Sequence, residues 1–287
     1  MSTRIASLAM YDGGELTAAN DVLWSAIAHR LESFGVRGVP RQLERDRSLD
    51  DVWSSDHLLF GQICGYPFAS RFRSRLRLIA APQYSAPGCT KSAHRSVVLV
   101  HARSPVRSLG ELRGARAVIN DVESMTGRQL LGDAIAASGG SCGFFSSVEV
   151  SGSHASSLAQ VAAGMADVAA IDCVSFAHLT RAIPAVVAET RIVHRTRQTP
   201  TLPFVISAAC GEVATFLVAR ALAEVVADPR TADARRSLGL VAVRRPNAKA
   251  YERTLDVATS ADRVFKTPAH RRTGSSTSTF GAPEVSR

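Results

Sequence analysis

Between Ala115 and Asp172 the chain alternates short apolar runs with segments long enough to be helices. The runs are "ARAVIN", "FSSVEV" and "DVAAID"; the intervening segments are "DVESMTGRQLLGDAIAASGG" and "SGSHASSLAQVAAGMA". Short runs rich in Val, Ile and Ala read as buried strands. The segments between them carry apolar residues at helical spacing and close on Gly139–Gly140 or near Gly164. A strand–helix–strand repeat buries its apolar surface when the strands lie parallel in one sheet and the helices cover its faces. That favours an α/β fold over a bundle or a β-sandwich. Aromatic residues at 6% agree, since Ala and Val supply much of the apolar mass.

The rest of the chain repeats the pattern less regularly. Ile5 to Met10 reads as a strand, and Val22, Leu23, Ile27 and Leu31 fall on one helical face that ends at Gly35. Further strands are predicted in "HLLFGQICGYP", "RLRLIAAPQY", "RSVVLVHA", "RIVHRT" and "LPFVISAA", and helices over 212–226 and 231–238. Two such blocks joined by the crossing strands "VVLVHA" and "TRIVHR" predict two lobes, each a mostly parallel sheet flanked by helices. The first takes residues 1–95 and 192–266, the second 96–191, with a cleft between them. Residues 267–287 are polar, rich in Gly, Ser and Thr, and without periodicity, so they are expected to be a disordered tail.

The 287 residues carry a net charge of +9, which favours anionic partners. The positive charge is dispersed. Its densest run, "SRFRSRLRL", alternates Arg71, Arg73, Arg75 and Arg77 along the edge of a strand or turn, without the interleaved aromatics of a nucleic-acid surface. No nucleic-acid partner is expected. The five cysteines form no CxxC pair, so neither a zinc site nor a complete disulfide framework is expected, nor any other cofactor. No apolar run is long enough to insert into a membrane. The opening "MSTRIASLAMYD" enters a strand directly and shows none of the features of an export signal.

Candidate site residues cluster where strands end. Ser124, Met125, Thr126 and Gly127 lie between "ARAVIN" and a helix expected to begin near Arg128. Hydroxyls and free amides at a helix start suit an oxyanion, although a plain N-cap uses the same residues. "SGSH" repeats the design before the next helix and offers His154. Because both helices would follow neighbouring parallel strands, both starts would face the same sheet edge. Asp172 ends the third strand, either as the cap of "CVSFAHL" or as a carboxylate in the site. Tyr11 and Tyr66 follow strands of the first lobe and offer phenol donors, or pack as ordinary aromatics. Cys64 has no sequence-local base beside it.

The segments "ASLAMYD", "GQICGYPF", "RSVVLVHARSPVRSLGELRGARAVINDVESMTG", "SGSHASSLAQVAAGMADVAAIDCVSF" and "TPTLPFVIS" together resemble the PhnD-type substrate-binding proteins of phosphate, phosphite and phosphonate ABC transporters. The resemblance implies a periplasmic-binding-protein fold of the second type that closes on a small oxyanion without catalysis. It implies that Ser124, Thr126 and Gly127 hold the oxyanion with His154, that Tyr11 and Tyr66 close from the first lobe, and that Asp172 meets a protonated oxygen or an amino group. Met125 stands where the family motif usually has a further hydroxyl. A monomer that delivers its ligand to a permease in the periplasm is expected. A cytoplasmic relative stays open as an alternative, as does an enzyme or an effector sensor on the same fold.

Overall fold

The computed structural model of the chain describes residues 4–265; the tail expected from Thr267 lies outside the described residues. Two five-stranded sheets organise it. The first has the order β1 (Ile5–Ser7), β2 (Leu58–Gln62), β11 (Phe204–Ser207), β3 (Leu76–Tyr84), β12 (Leu240–Arg244). The second has the order β7 (Ser147–Val150), β6 (Arg116–Ile119), β8 (Val168–Asp172), β5 (Ser96–His101), β9 (Thr190–Arg195). A two-stranded ribbon of β4 (Ala93–His94) and β10 (Thr199–Pro200) lies where the chain passes from one sheet to the other.

The α/β class holds, but the sheets are mixed rather than mostly parallel. β1 pairs parallel with β2, and β6 parallel with β7 and β8. β11 runs against β2 and β3, β12 against β3, and β5 against β8 and β9. The physical reason is the crossing. β5 and β11 enter their sheets from the other half, so they run opposite to strands built by strand–helix–strand units. β9 pairs along β5 over its whole length, so the strand around Ile192 belongs to the second sheet.

Strand alternation builds a core on each face. In the second sheet Val98, Val100, Val168 and Ala170 face α4 (Leu130–Ala137) through Leu131 and Ile135. Val97, Leu99, Ala169 and Ile171 face α5 (His154–Ala162) through Leu158 and Val161. In the first sheet Phe204 and Ile206 pack under α1 (Glu15–Ser33), α8 (Gly211–Ala227) and α9 (Ala232–Leu238), whose buried residues include Leu23, Trp24, Ile27, Val218 and Leu222. Val205 points the other way, into a cluster with Val52 and Trp53 of α2 (Leu49–Ser54), Phe68, Phe72 and Tyr251. That face also carries α3 (Gly65–Pro67) and α10 (Ala248–Glu252).

α6 (Cys173–Ala182) and α7 (Pro184–Ala188) follow β8. α11 (Thr254–Phe265) then leaves the first half and packs on α4. The two helices meet at Gly132, where an added Cβ would lie 2.7 Å from the Cβ and 2.8 Å from the Cα of Ala261.

The arginine run at 71–77 is not one strand edge. Arg71 closes a π-helical turn, Phe68–Phe72, and β3 begins at Leu76. Each arginine has an acidic neighbour: Arg71 with Asp50 and Glu123, Arg73 with Glu252, Arg75 with Asp56, Arg77 with Glu212. Among the described residues no helix is long and apolar enough to cross a membrane.

Candidate functional site

Because β7, β6 and β8 run parallel, their carboxyl ends share one edge. Asn120, Ser151 and Asp172 lie at that edge, and the loop after β7 is tied to β6 there: Ser151 N donates to Ile119 O at 2.9 Å and Gly152 N to Asn120 O at 3.0 Å. Two helix starts are thereby held side by side.

The first start comes earlier than its sequence suggests. Ser124 is the N-cap, its Oγ accepting from Gly127 N at 2.9 Å, and the helix opens with a π-helical turn, Met125–Gln129, that runs into α4. Thr126 and Gly127 therefore lie inside the first turn. Gly127 is required there, since a Cβ would fall 1.7 Å from Asn120 Oδ1. At the second start Ser153 caps α5 by accepting from Ser156 N at 3.0 Å. The amides of Met125, Gly127 and Ser156 are thus used inside the protein, by Cys64 Sγ, Ser124 Oγ and Ser153 Oγ. The first-turn amides of Thr126, His154 and Ala155 have no intrahelical acceptor, and these three residues line the cavity.

The two starts touch. Thr126 Oγ1 lies 3.0 Å from His154 Nε2, and His154 Nδ1 is enclosed with no partner among the described residues. Although His154 is half-buried as a residue, burial of its ring pulls its pKa down to about 4, against an opposing pull from Asp172, so the ring is neutral at pH 7. A neutral imidazole carries one N–H and the threonine one O–H. One of these two protons is used between Thr126 and His154. In either tautomer the other remains for an acceptor outside the pair.

Asp172 occupies the centre. Its Oδ1 accepts from Val174 N at 2.7 Å, Ser175 N at 3.0 Å and the Tyr11 hydroxyl at 3.2 Å. Its Oδ2 lies 2.7 Å from His94 Nδ1, with both side chains almost wholly buried. The acid therefore caps α6, binds Tyr11 from the first half and is neutralised by His94. Burial alone would raise the Asp172 pKa, but the His94 charge and the capping amides outweigh it and hold the carboxyl at about 2. Burial alone would lower His94; the adjacent carboxylate outweighs it and raises the imidazole above its ordinary 6.5.

These shifts fix a pH profile of stability. Above pH 6.5 the unfolded chain loses the His94 proton that the folded protein keeps, so stability falls as pH rises through the raised His94 pKa. Below 6.5 the unfolded chain protonates at His154, and at His178 and His194, whose pKa values burial also lowers, before the folded one does, so stability falls as pH falls. The Asp172 contribution is lost last, between 3.8 and about 2. The melting temperature is expected to peak near pH 6.5. His94→Gln should flatten the alkaline limb and His154→Gln should make the limb below 6.5 shallower. Limbs unchanged in both variants would assign the profile to other groups.

The edge faces a cavity of about 600 Å³. Tyr11, Ser124, Thr126, Ser153, His154 and Asp172 line it, with Met10, Leu49, Trp53, Pro67 and Leu202 as apolar lining and Asp12, Glu15, Asp50, Asp121, Glu123 and Arg181 as further charged lining. Of the residues expected at the site, the structure brings together Tyr11, Ser124, Thr126, His154 and Asp172. Met125 is 1% exposed and packs with Cys64, Leu130 and Val257, so the missing hydroxyl of the motif leaves no gap in the cavity wall. Tyr66 packs against that same cluster, outside the cavity lining. Gly127 acts through its lack of a side chain.

Two residues escaped the sequence reading. Asn120 lines the cavity with a buried Oδ1 that has no partner among the described residues, and its place at the end of "ARAVIN" was a usable signal. His94 had none: it starts no helix, and its partner lies far along the chain.

A family model described as "ABC transporter, phosphonate, periplasmic substrate-binding protein" matches residues 56–251. Several solved structures are similar. One is a Xanthomonas citri protein bound to ATP, 17% identical over 91% of this chain and 98% of that one, with a TM-score of 0.69. Another is PhnD1 of Prochlorococcus marinus in complex with methylphosphonate, 14% identical over 91% and 98%, with a TM-score of 0.71. A third is the periplasmic aliphatic sulphonate binding protein SsuA of Escherichia coli, 13% identical over 99% and 97%, with a TM-score of 0.56. At such identities the likeness shows the fold, the two-lobed α/β architecture of periplasmic binding proteins. No curated protein matches the chain.

Proposed function

Because the chain belongs to the family of periplasmic substrate-binding proteins of phosphonate ABC transporters, we propose that its cleft binds a small oxyanion of the phosphonate class and delivers it to a permease in the periplasm. The observation that carries this reading is the Thr126–His154 pair, which holds one proton more than it can use internally. Phosphonate oxygens are acceptors suited to that proton and to the first-turn amides beside it. The apolar residues in the lining give an organic substituent, which inorganic phosphate lacks, something to pack against. The two sheets then act as lobes, 4–95 and 196–253 against 96–195, hinged at the β4–β10 ribbon.

Binding without turnover is supported at Cys64. Burial, outweighing the amides that donate to it, pushes this thiol up to about 11, and its Sγ already accepts from Met125 N at 3.3 Å. A protonated, occupied thiol is a poor nucleophile.

Titration calorimetry with methylphosphonate, phosphate, phosphite and an alkanesulfonate tests the reading. Thr126→Val is expected to weaken binding of the preferred anion by about 1–3 kcal/mol, the value of a hydrogen bond to a charged acceptor. Ser124→Ala removes a cap and is expected to lower stability by about 1 kcal/mol with a smaller effect on affinity. Undiminished affinity in Thr126→Val, or no binding of any of the four anions, would sink it.

A further inference from the structure

Outside the ligand site two thiols face each other. Cys89 Sγ and Cys173 Sγ lie 3.6 Å apart, in contact but not bonded. They come from different halves of the molecule. Cys89 follows β3 of the first sheet in the loop before β4, and Cys173 opens α6 directly after β8 of the second. The approach is built by the backbone. Gly88, at φ +106, brings the loop so close that a Cβ there would lie 3.3 Å from both Cβ and Sγ of Cys173. Cys173 N is fixed by Arg95 O at 3.0 Å, and Gln198 Nε2 holds the loop through Gly88 O at 3.3 Å and Thr90 Oγ1 at 2.9 Å. Cys89 is half-buried; Cys173 is buried beside Asp172.

We propose that Cys89 and Cys173 form a reversible disulfide site that, once oxidised by a low-molecular-weight disulfide or a thiol–disulfide oxidoreductase, locks the two halves together. The locking rests on the reading of the halves as moving lobes. The reaction takes two exchanges. Cys89 is the less buried of the two; its contact with Cys173 and its burial raise its pKa, so the first exchange is slow and speeds up as pH rises. Once its proton has passed to solvent, the Cys89 thiolate attacks one sulfur of the external disulfide, forming a mixed disulfide and releasing one thiolate. Cys173 then attacks Cys89 Sγ, breaking the mixed bond and releasing the second. The two protein thiols lose two protons and two electrons, and the external disulfide becomes two thiols. Cys173 suits the second step, because the hydrogen bond from Cys89 lowers its pKa although burial opposes this.

The bond would join the first turn of α6 to the loop after β3, close to the Tyr11–Asp172 contact that already spans the halves. Opening separates these two elements, so a covalent link there holds the arrangement seen. It needs a shift of the sulfurs from 3.6 Å to bonding distance.

The test uses the full chain without ligand, incubated with oxidised glutathione or with a reductant. Peptide mapping under non-reducing conditions should find the Cys89 and Cys173 peptides linked in the oxidised sample, and the link should vanish in Cys89→Ser and in Cys173→Ser. Small-angle scattering should show the reduced wild type more extended than the oxidised, with the Cys89→Ser variant extended under both conditions. Failure to find that linked peptide while solvent-reachable thiols react, or a linked protein with the reduced protein's scattering profile, would overturn the proposal. Methylphosphonate enters neither readout, so a protein that fails to bind it would remove the ligand reading and leave this one standing.

Discussion

Asp172→Asn is expected to destabilise the protein by about 3 kcal/mol at pH 6.5, the loss typical when one partner of a buried ion pair is removed. The substitution isolates charge. Asparagine caps helices as well as aspartate, so the bonds from Val174 N and Ser175 N survive, as does an acceptor for the Tyr11 hydroxyl. The loss is the counter-charge 2.7 Å from His94. The buried imidazole must then give up its proton, and its pKa should fall from above 6.5 to below it, as burial alone dictates. Denaturant unfolding measures the first effect and NMR titration of His94 the second. An unchanged His94 pKa in the variant would mean that the pair does not carry the charge balance of the site. The alkaline decline in stability should vanish together with the raised pKa.

Gly132→Leu is expected to have a comparable effect, about 3 kcal/mol, for a steric reason. Overpacking a close-packed interface costs about 1–3 kcal/mol, occasionally more, and here the obstruction includes backbone. The first added carbon already falls 2.8 Å from Ala261 Cα, so α11 must move as a whole. The better helix propensity of leucine, about 1 kcal/mol over glycine, offsets part of this. The helix carrying Gly132 holds Thr126 in its first turn, so methylphosphonate affinity should fall along with the melting temperature. A variant as stable as wild type would show that α11 is held loosely.

The parts of the fold legible in the sequence were those written in local periodicity. "VAAID" and "SVVLVH" alternate between two apolar faces, and α4 and α5 show helical spacing, because burial imposes a residue-by-residue pattern there. Strand direction was not legible. Whether β5 runs with or against β8 depends on where the chain crosses, which no local pattern records. The site divides in the same way. Thr126 and His154 announced themselves as polar residues at helix starts. The sequence could not say that Asp172 would meet His94, nor that Tyr66 would pack on the cluster of Cys64, Met125, Leu130 and Val257, since both are consequences of packing between distant segments.

The seat of α11 on α4 has a consequence for how the protein comes into being. The second half is not complete when its own strands have been made. Leu131 and Ile135 can bury against the sheet as soon as β8 exists, but the groove at Gly132 stays open until Ala261 has been synthesised. A nascent chain therefore reaches a late stage with one half formed but not sealed, and the last helix closes a contact of very long sequence separation. Contacts of that kind slow folding and couple distant segments into one cooperative unit. The two halves are thus not free to fold apart.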